Sequence, residues 1–478
     1  MATAADPEPD PRRWLALLTC CSALFMTLLD VSVTNVALPS IGRSTAATPS
    51  QLQWVVSGYT LAFGLVPVLA GRLGDDHGRR LMFQIGVAGF VATSMLAGLS
   101  PTAGILIGAR VLQGLAGGLI NPQVSGLIQQ LFRGDERGRA FGILGTTVGV
   151  GTALGPVVGG GLIGLGGPHN GWRLVFFINV PVGIAAILLS RRLLPRDGAS
   201  GRHRLDLVGA LLLGSATFCI LFMAVEYDAI RDRRLGALVV PALVLVALFA
   251  RRESRLTRER RDPLVDLRLF RVPSYSSGVV LALAYFPAMA GLPLVLALYY
   301  QRGLGYSALQ SGLGITAYAL GSGIAAPLAG RVVTRIGRPL VVAATITFGV
   351  GAAVLALLAI HAPTAAALVF APALFVMGAG SGAVITPNQA LSLMEVDPAT
   401  GSTAGGVLQT AQRIGLAIGQ AVIGAVFFAA LGTGRGVAAY GHALRMAILT
   451  ALVFVGLAAV VGVSDLMRSR RRATTSAG

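Results

Sequence analysis

Asp30 and Arg110 are charged side chains set deep in apolar runs, and their chemistry is the first thing to explain. Of the twenty carboxylates, nineteen fall in tails, in loops or near predicted helix ends; Asp30 alone lies well inside residues 14–38. A charged Asp at the middle of a bilayer costs about 2.5–3.5 kcal/mol on insertion scales, so such residues face a cavity and mark ion or proton paths. A carboxylate whose charge is costly can take up and release a proton, which makes Asp30 a candidate proton carrier; the other role open to it is a structural hydrogen bond to a neighbouring helix. Arg110 lies in residues 102–127. At 1.5 Å rise per residue, Asp30 and Arg110 sit roughly 12 and roughly 10 Å from the same predicted membrane face. If their helices touch, the guanidinium either tunes the carboxylate or forms a static ion pair with it. A third charge, Arg413, falls near the middle of residues 402–431, placed to bind polar or anionic substrate groups or helix-end carbonyls.

Two glycine-rich patterns follow. Gly71, Gly74, Asp75, Gly78, Arg79 and Arg80 lie between the second and third apolar runs, where glycines permit a tight turn and close helix approach. Asp and Arg there can pair with helix ends across two halves of the molecule. Residues 138–164 carry Gly149, Gly151, Gly155, Pro156, Gly159, Gly160 and Gly161. This composition suits near backbone contact and a bend at Pro156, in a helix that slides or in one that is simply tightly packed.

Both patterns recur. The run from Ala70 to Arg80 returns as Ala329 to Pro339 with five of eleven positions matching, and Thr334 stands where Asp75 stood. Arg139 to Thr146, with Gly151, Gly155 and Gly160, returns 264 residues later as Thr403 to Thr410 with Gly415, Gly419 and Gly424. Two like-oriented halves of an apolar chain are the pattern of a transporter that rocks one half against the other.

The elements that position these residues follow from hydropathy. The chain is 54% hydrophobic and 12% charged, with mean hydropathy +0.74, a composition for a bilayer rather than for water. About 20 apolar residues cross a hydrocarbon core. Fourteen runs qualify, at residues 14–38, 51–71, 80–99, 102–127, 138–164, 172–194, 207–226, 235–250, 274–300, 308–330, 338–360, 364–391, 402–431 and 443–466. The expected fold is all-α and polytopic. Residues 1–194 and 273–478 form two six-helix bundles, and residues 195–272 hold two inserted helices with Arg-rich linkers.

All 38 basic residues are Arg, giving a net charge of +18. Threading fourteen spans with both termini inside places 28 Arg in cytoplasmic segments, 8 outside and 2 within helices, a positive-inside distribution and not a nucleic-acid surface. Eight of them, between Arg251 and Arg271, anchor topology or touch anionic lipid headgroups. Cys20, Cys21 and Cys219 lie in apolar runs and indicate neither disulfide nor metal. The N-terminal segment lacks a signal-peptide pattern, so the first helix is retained.

On these residues the chain resembles the fourteen-helix drug:proton antiporter branch of the major facilitator superfamily. Leu29 to Pro39 is similar to that branch's helix 1 motif, Gly71 to Arg80 to the superfamily loop signature, and Arg110 to Gly114 to the proton-transfer motif. Gly151 to Gly160 is similar to the antiporter motif, and Trp172 to Gly183 to the entry to helix 6. The resemblance implies alternating access, with Asp30 and Arg110 in proton coupling and Gly71, Asp75, Gly78, Arg79 and Arg80 in gating. It also implies antiport through Gly151, Gly155, Pro156 and Gly159, and a pocket that includes Tyr59, with Trp54 as a pocket or interfacial residue. Together with Arg413, the expected substrate residues are Asp30, Asn35, Tyr59 and Gln113. The second half lacks the intramembrane carboxylate of some dication exporters.

The expected function is proton-driven export of an amphipathic small molecule, a drug or a self-made antibiotic, from a bacterial cytoplasmic membrane. Proton-coupled nutrient uptake and a membrane sensor are the alternatives; the antiporter-like glycines oppose the first and the absence of an appended soluble domain the second. No His-Glu-x-x-His, Gly-x-Ser-x-Gly or nucleotide-binding loop is present, so neither an enzyme nor an ATP-driven pump is expected. The expected energy source is a proton gradient, with no cofactor, no metal and no nucleic-acid partner, in a monomer among membrane lipids. With a single deep carboxylate, and Glu226 near the end of the seventh run, substrates are expected to be neutral, monocationic or zwitterionic.

Overall fold

A computed structural model describes residues 11–196, 206–230, 233–259, 261–359 and 365–475, with the backbone alone described at 49, 152, 153, 156, 168, 224–230, 233–235, 308, 309 and 469–475. Among these residues all regular secondary structure is helical, joined by short turns. The first group is α1 (Arg13–Thr45), α2 (Pro49–Leu65), α3 (Pro67–His77), α4 (Arg79–Leu99), α5 (Ala103–Leu131), α6 (Gly134–Phe177) and α7 (Asn179–Leu193). Then come α8 (Leu207–Ile230) and α9 (Val239–Arg258), and after them α10 (Pro273–Leu298), α11 (Ala308–Ile336), α12 (Arg338–Leu358), α13 (Ala366–Ser392), α14 (Gly401–Leu431) and α15 (Val437–Thr475).

Local chemistry sets these boundaries. Thr48 caps α2 and Ser307 caps α11 by the same reciprocal device, each hydroxyl accepting the N–H of a Gln three residues on while that Gln accepts the cap's own N–H. Gly78 (φ +100°) and Gly337 (φ +67°) are one-residue turns between α3 and α4 and between α11 and α12, in a backbone region that only glycine enters cheaply. Prolines 39, 122, 287, 293, 327, 372 and 387 ride inside helices, since neighbouring groups can satisfy a freed carbonyl within a bundle. At Pro67 the chain breaks, and Ser50–Leu65 and Pro67–His77 meet at 47°.

Ten helices among the described residues are long and apolar enough to cross a membrane, or eleven counting the bent pair at Pro67. Two shorter apolar helices, Val157–Gly167 and Leu207–Met223, accompany them, so fewer than the fourteen expected runs reach full spanning length among the described residues. The fifth and sixth expected runs part at Gly167, whose non-helical backbone breaks Gly134–Phe177, and the sixth emerges as one span, His169–Leu193. The eighth becomes a 3-10 turn, Arg233–Leu238, leading into α9, whose second half is Arg-rich. The expected turn from Gly71 to Arg80 is mostly helix: Gly71, Gly74 and Asp75 belong to α3, Arg79 and Arg80 to α4, and Gly78 alone makes the turn. Gly71 and Gly74 serve close packing, and Gly78 serves chain reversal.

α1, α2, α4, α5, α6 and α7 pack on one another, and so do α10 to α15, while α6 lies along α11 and α14 along α3 and α5 between the two sets. α8 and α9 form a hairpin, with α8 against both α2 and α14. Leu313, Leu320, Ile324 and Leu328 stand exposed along one face of α11, as an apolar surround requires. Arg72, Arg79, Arg80, Arg137 and Arg338 gather where α3, α5, α11 and α13 end and α4, α6, α12 and α14 begin, here termed the Arg-rich end.

Candidate functional site: a buried carboxylate cluster and two latches

Six helices converge on Asp30, which is 1% exposed. α5 presents Arg110 and Gln113 three residues apart and so on one face. The Arg110 guanidinium donates through Nη1 to Asp30 Oδ2 and, at 2.7 Å, to Gln113 Oε1; its Nε donates to the Val55 carbonyl of α2 at 3.1 Å. Asp30 Oδ1 accepts from Gln113 Nε2 at 3.1 Å and from Asn179 Nδ2, at the start of α7, at 2.8 Å. Ser94 of α4 accepts from both of those amides and donates to the Phe176 carbonyl of α6 at 2.9 Å. A buried ion pair is tolerable only when such bonds satisfy the remaining lone pairs and protons.

The cluster is connected outward by rings. Arg110 lies 4.3 Å from the centroid of the Tyr59 ring, Tyr59 stacks on Phe63 at 5.8 Å, and Arg413 of α14 lies 4.5 Å from the Phe63 ring. A line of cation–π and stacking contacts thus joins Arg413 in one set of helices to Arg110 in the other. Of the expected substrate residues, Asp30, Tyr59 and Gln113 come together and Arg413 approaches them through Phe63. Asn35 does not: it is exposed on α1. Trp54 packs beside Phe222 of α8, ring centroids 6.3 Å apart. Sequence reasoning gave no role to Asn179 and passed over Ser94; each is a neutral polar residue in an apolar helix, a signal weaker than a charge.

At the Arg-rich end Asp75 caps α14. Its carboxylate accepts the Ser402 N–H at 3.1 Å and the Thr403 N–H and hydroxyl, each at 2.8 Å, and pairs with Arg79 at 2.9 Å. These amides are in the first turn of α14, where N–H groups lack helical partners and negative charge is favoured. Arg79 also donates to the carbonyls of Gly126 (2.9 Å) and Pro398 and to the Ser402 hydroxyl (3.0 Å). Arg80 turns to α7, bonding the Arg191 and Leu194 carbonyls at 2.6 and 3.2 Å. A Cβ on Gly71 would lie 2.8 Å from Thr403 Cα, so only glycine lets α3 meet α14. On the other side the Thr334 hydroxyl donates to Asp135 in the first turn of α6. The carboxylate absent from the second loop is supplied by the facing helix, which the repeat alignment alone did not disclose. Beside it, Arg13 bonds Glu136 at 2.8 Å and holds that carboxyl below the usual carboxylate range.

α6 meets neighbours with glycine on two faces. A Cβ on Gly151 would lie 3.2 Å from Leu28 Cβ, on Gly155 3.0 Å from the Ser32 carbonyl carbon, and on Gly159 2.9 Å from Val33 Cγ1, all on α1. Gly142 faces Gly330 and Pro327 of α11, 3.3 Å from each Cα, and Gly145 faces Ala326. Gly160 and Gly161 meet nothing within 4 Å, and the Pro156 and Glu226 side chains lie outside the described residues. In α14, Gly415 and Gly419 press on Phe286 and Pro287 of α10 as Gly151 and Gly155 press on α1.

Fold, buried cluster and paired latches define a membrane transporter of two facing helical sets. The chain belongs to the Major Facilitator Superfamily, which it matches over residues 20–419 and 277–477. It is 37% identical over 438 residues to a probable actinorhodin transporter of Streptomyces coelicolor, covering 90% of this chain and 75% of that protein. With the tetracenomycin C resistance and export protein of Streptomyces glaucescens it shares 33% identity over 427 residues, 88% of this chain and 77% of that one. The crystal structure of the human organic anion transporter MFSD10 (TETRAN) superposes with a TM-score of 0.65 at 16% identity, over 93% of this chain and 100% of that one, and speaks to the fold alone.

Proposed function

We propose that this protein is a proton-coupled antiporter that exports amphipathic small molecules across a bacterial cytoplasmic membrane. In this reading the chain crosses fourteen times with both termini cytoplasmic, and the Arg-rich end faces the cytoplasm. The observation that carries the reading is the Asp30 cluster: a membrane-buried carboxylate balanced by one guanidinium and two amides, in a chain whose relatives include a tetracenomycin C resistance and export protein.

The geometry suggests how coupling would run. With Asp30 charged, Arg110 is held to it, and through Tyr59 and Phe63 the local field reaches Arg413 of the other half. Protonation of Asp30 removes half of the pair and leaves Arg110 with Gln113 Oε1 and the Val55 carbonyl. An uncompensated buried cation is costly, so the helices carrying it gain a reason to move. Asp75 and Thr334 hold the Arg-rich end shut, and their bonds must part for substrate to enter from the cytoplasm.

The test is Asp30→Asn in inverted membrane vesicles, which removes the titratable proton and keeps the shape. Proton-driven dye efflux should fall to background while membrane insertion is unchanged. Wild-type rates would sink the proposal, and counterflow in the inward direction would favour uptake instead.

A further inference from the structure

We infer that the substrate pocket lies apart from Asp30, on the seam between α6 and α11, and that it takes uncharged, largely apolar molecules bearing hydrogen-bonding oxygens. The inference rests on the exporter reading above and deepens it. A cavity of about 330 Å³ opens among α6, α10, α11 and α13, in the size range of small-molecule sites. Among the described residues, none of Asp30, Tyr59, Gln113 or Arg413 lines it, and neither a carboxylate nor a guanidinium does.

Its polar wall is made of hydroxyls from Thr316, Tyr318, Ser322, Ser381 and Thr386. Tyr318 donates to Ser381 at 2.8 Å, which fixes that corner of the wall. Thr386 is 1% exposed, and its hydroxyl has no hydrogen-bond partner among the described residues. A buried hydroxyl left so costs free energy until something pairs with it, and a ligand carbonyl or hydroxyl in this cavity would do so. On α11 the wall residues 316, 319 and 322 lie on a different face from exposed Leu313, Leu320 and Ile324, so the cavity is on the helix's inner side. An all-hydroxyl wall in an apolar surround favours neutral molecules, because a charge buried there would have no counter-ion.

The same place explains coupling without contact. Gly145 of α6 lines the cavity beside Thr386, and Ala326 of α11 lies 3.2 Å from where its Cβ would be. Any shift of α6 along α11 therefore reshapes the pocket.

The experiment uses the full chain in lipid nanodiscs and reads binding by microscale thermophoresis, with 1-hydroxyanthraquinone as the uncharged probe and tetraphenylphosphonium as the cationic competitor. Loss of one neutral hydrogen bond should make Thr386→Val bind the anthraquinone about three- to tenfold more weakly. Thr386→Ser, which keeps the hydroxyl, should bind as wild type does. Ser322→Ala is the second variant should Thr386→Val spoil folding, and it should also weaken binding. Tetraphenylphosphonium should not displace the probe. No binding by wild type, equal affinity for the hydroxyl-deleted variants, or displacement by the cation would each overturn the assignment. Vesicle transport separates the two readings: probe that binds through Thr386 but is never exported removes the exporter reading and keeps the pocket. Export with hydroxyl-independent binding does the reverse.

Discussion

Replacing Asp75 by Asn should unfasten the first turn of α14. The wild-type carboxylate uses both oxygens, Oδ1 for the Ser402 amide and Oδ2 for the amide and hydroxyl of Thr403. An Asn keeps one acceptor oxygen and puts an NH2 where the other stood, so at least one first-turn amide loses its partner. It also removes the negative charge from a helix N-terminus. Loss of a cap costs about 0.5–2 kcal/mol, and loss of the charge about 0.3–1 kcal/mol. A sum near 2 kcal/mol corresponds to about thirtyfold more frequent opening. Hydrogen exchange followed by mass spectrometry reads this directly in the peptide spanning residues 400–406, and should speed up by about that factor while peptides of α12 stay unchanged. Arg79 retains the Gly126 and Pro398 carbonyls, so the variant should remain folded. Exchange at wild-type rates would refute the argument, for it would mean that backbone packing of Gly71 and Gly406, not the carboxylate, protects the turn.

Three further outcomes are expected. Arg110→Lys should impair proton-driven efflux across pH 6–8 although it keeps the charge, because an ammonium cannot serve Asp30, Gln113 and the Val55 carbonyl in one planar geometry; full turnover in vesicles would make Arg110 a mere point charge. Gly155→Ala places a methyl against the backbone of Ser32, which no rotamer change relieves, and should cost about 1–3 kcal/mol in thermal stability in detergent; Gly160→Ala, where space is open, should cost little. Glu253 is buried beside Asp206 and Arg252 at the Arg-rich end, accepts the Val265 N–H at 3.1 Å, and burial raises its pKa to about 7. A carboxyl raised in the folded state favours that state when protonated, so the docking of residues 264–266 should weaken as pH rises from about 4.5 to about 7 and level off above it. Exchange at those amides, corrected for intrinsic rates, should show this slope in wild type and lose it in Glu253→Gln.

The parts of the site that were legible in the sequence are those where a rare residue type makes its own argument. Asp30 and Arg110 stood out because charge within an apolar run is expensive, and depth arithmetic placed them on one level; the ion pair is what the geometry displays. Asn179 and Ser94 carry no charge, and a polar amide or hydroxyl within a helix is too common to announce a partner. Thr386 and Ser381 were lost for the same reason. Hydropathy alone carried no sign that the chain bends at Pro67 while Pro39 and Pro122 ride within their helices. Asp135 escaped because the repeat was read loop against loop, whereas the missing charge had moved to the opposite helix.

The α6 helix has a consequence for how far one stroke can go. With small residues recurring at near four-residue intervals against α1 and α11, its surface repeats about every 6 Å along the axis. Shifts shorter than that bring Val33 or Val333 onto backbone that has no room for them, and a shift of one full interval restores the fit. The helix therefore behaves as a detent with discrete stops, so that half-open arrangements are high in energy and brief. A transporter built this way would resist leakage by geometry alone, since intermediate positions with both mouths ajar would be the ones its packing disfavours most.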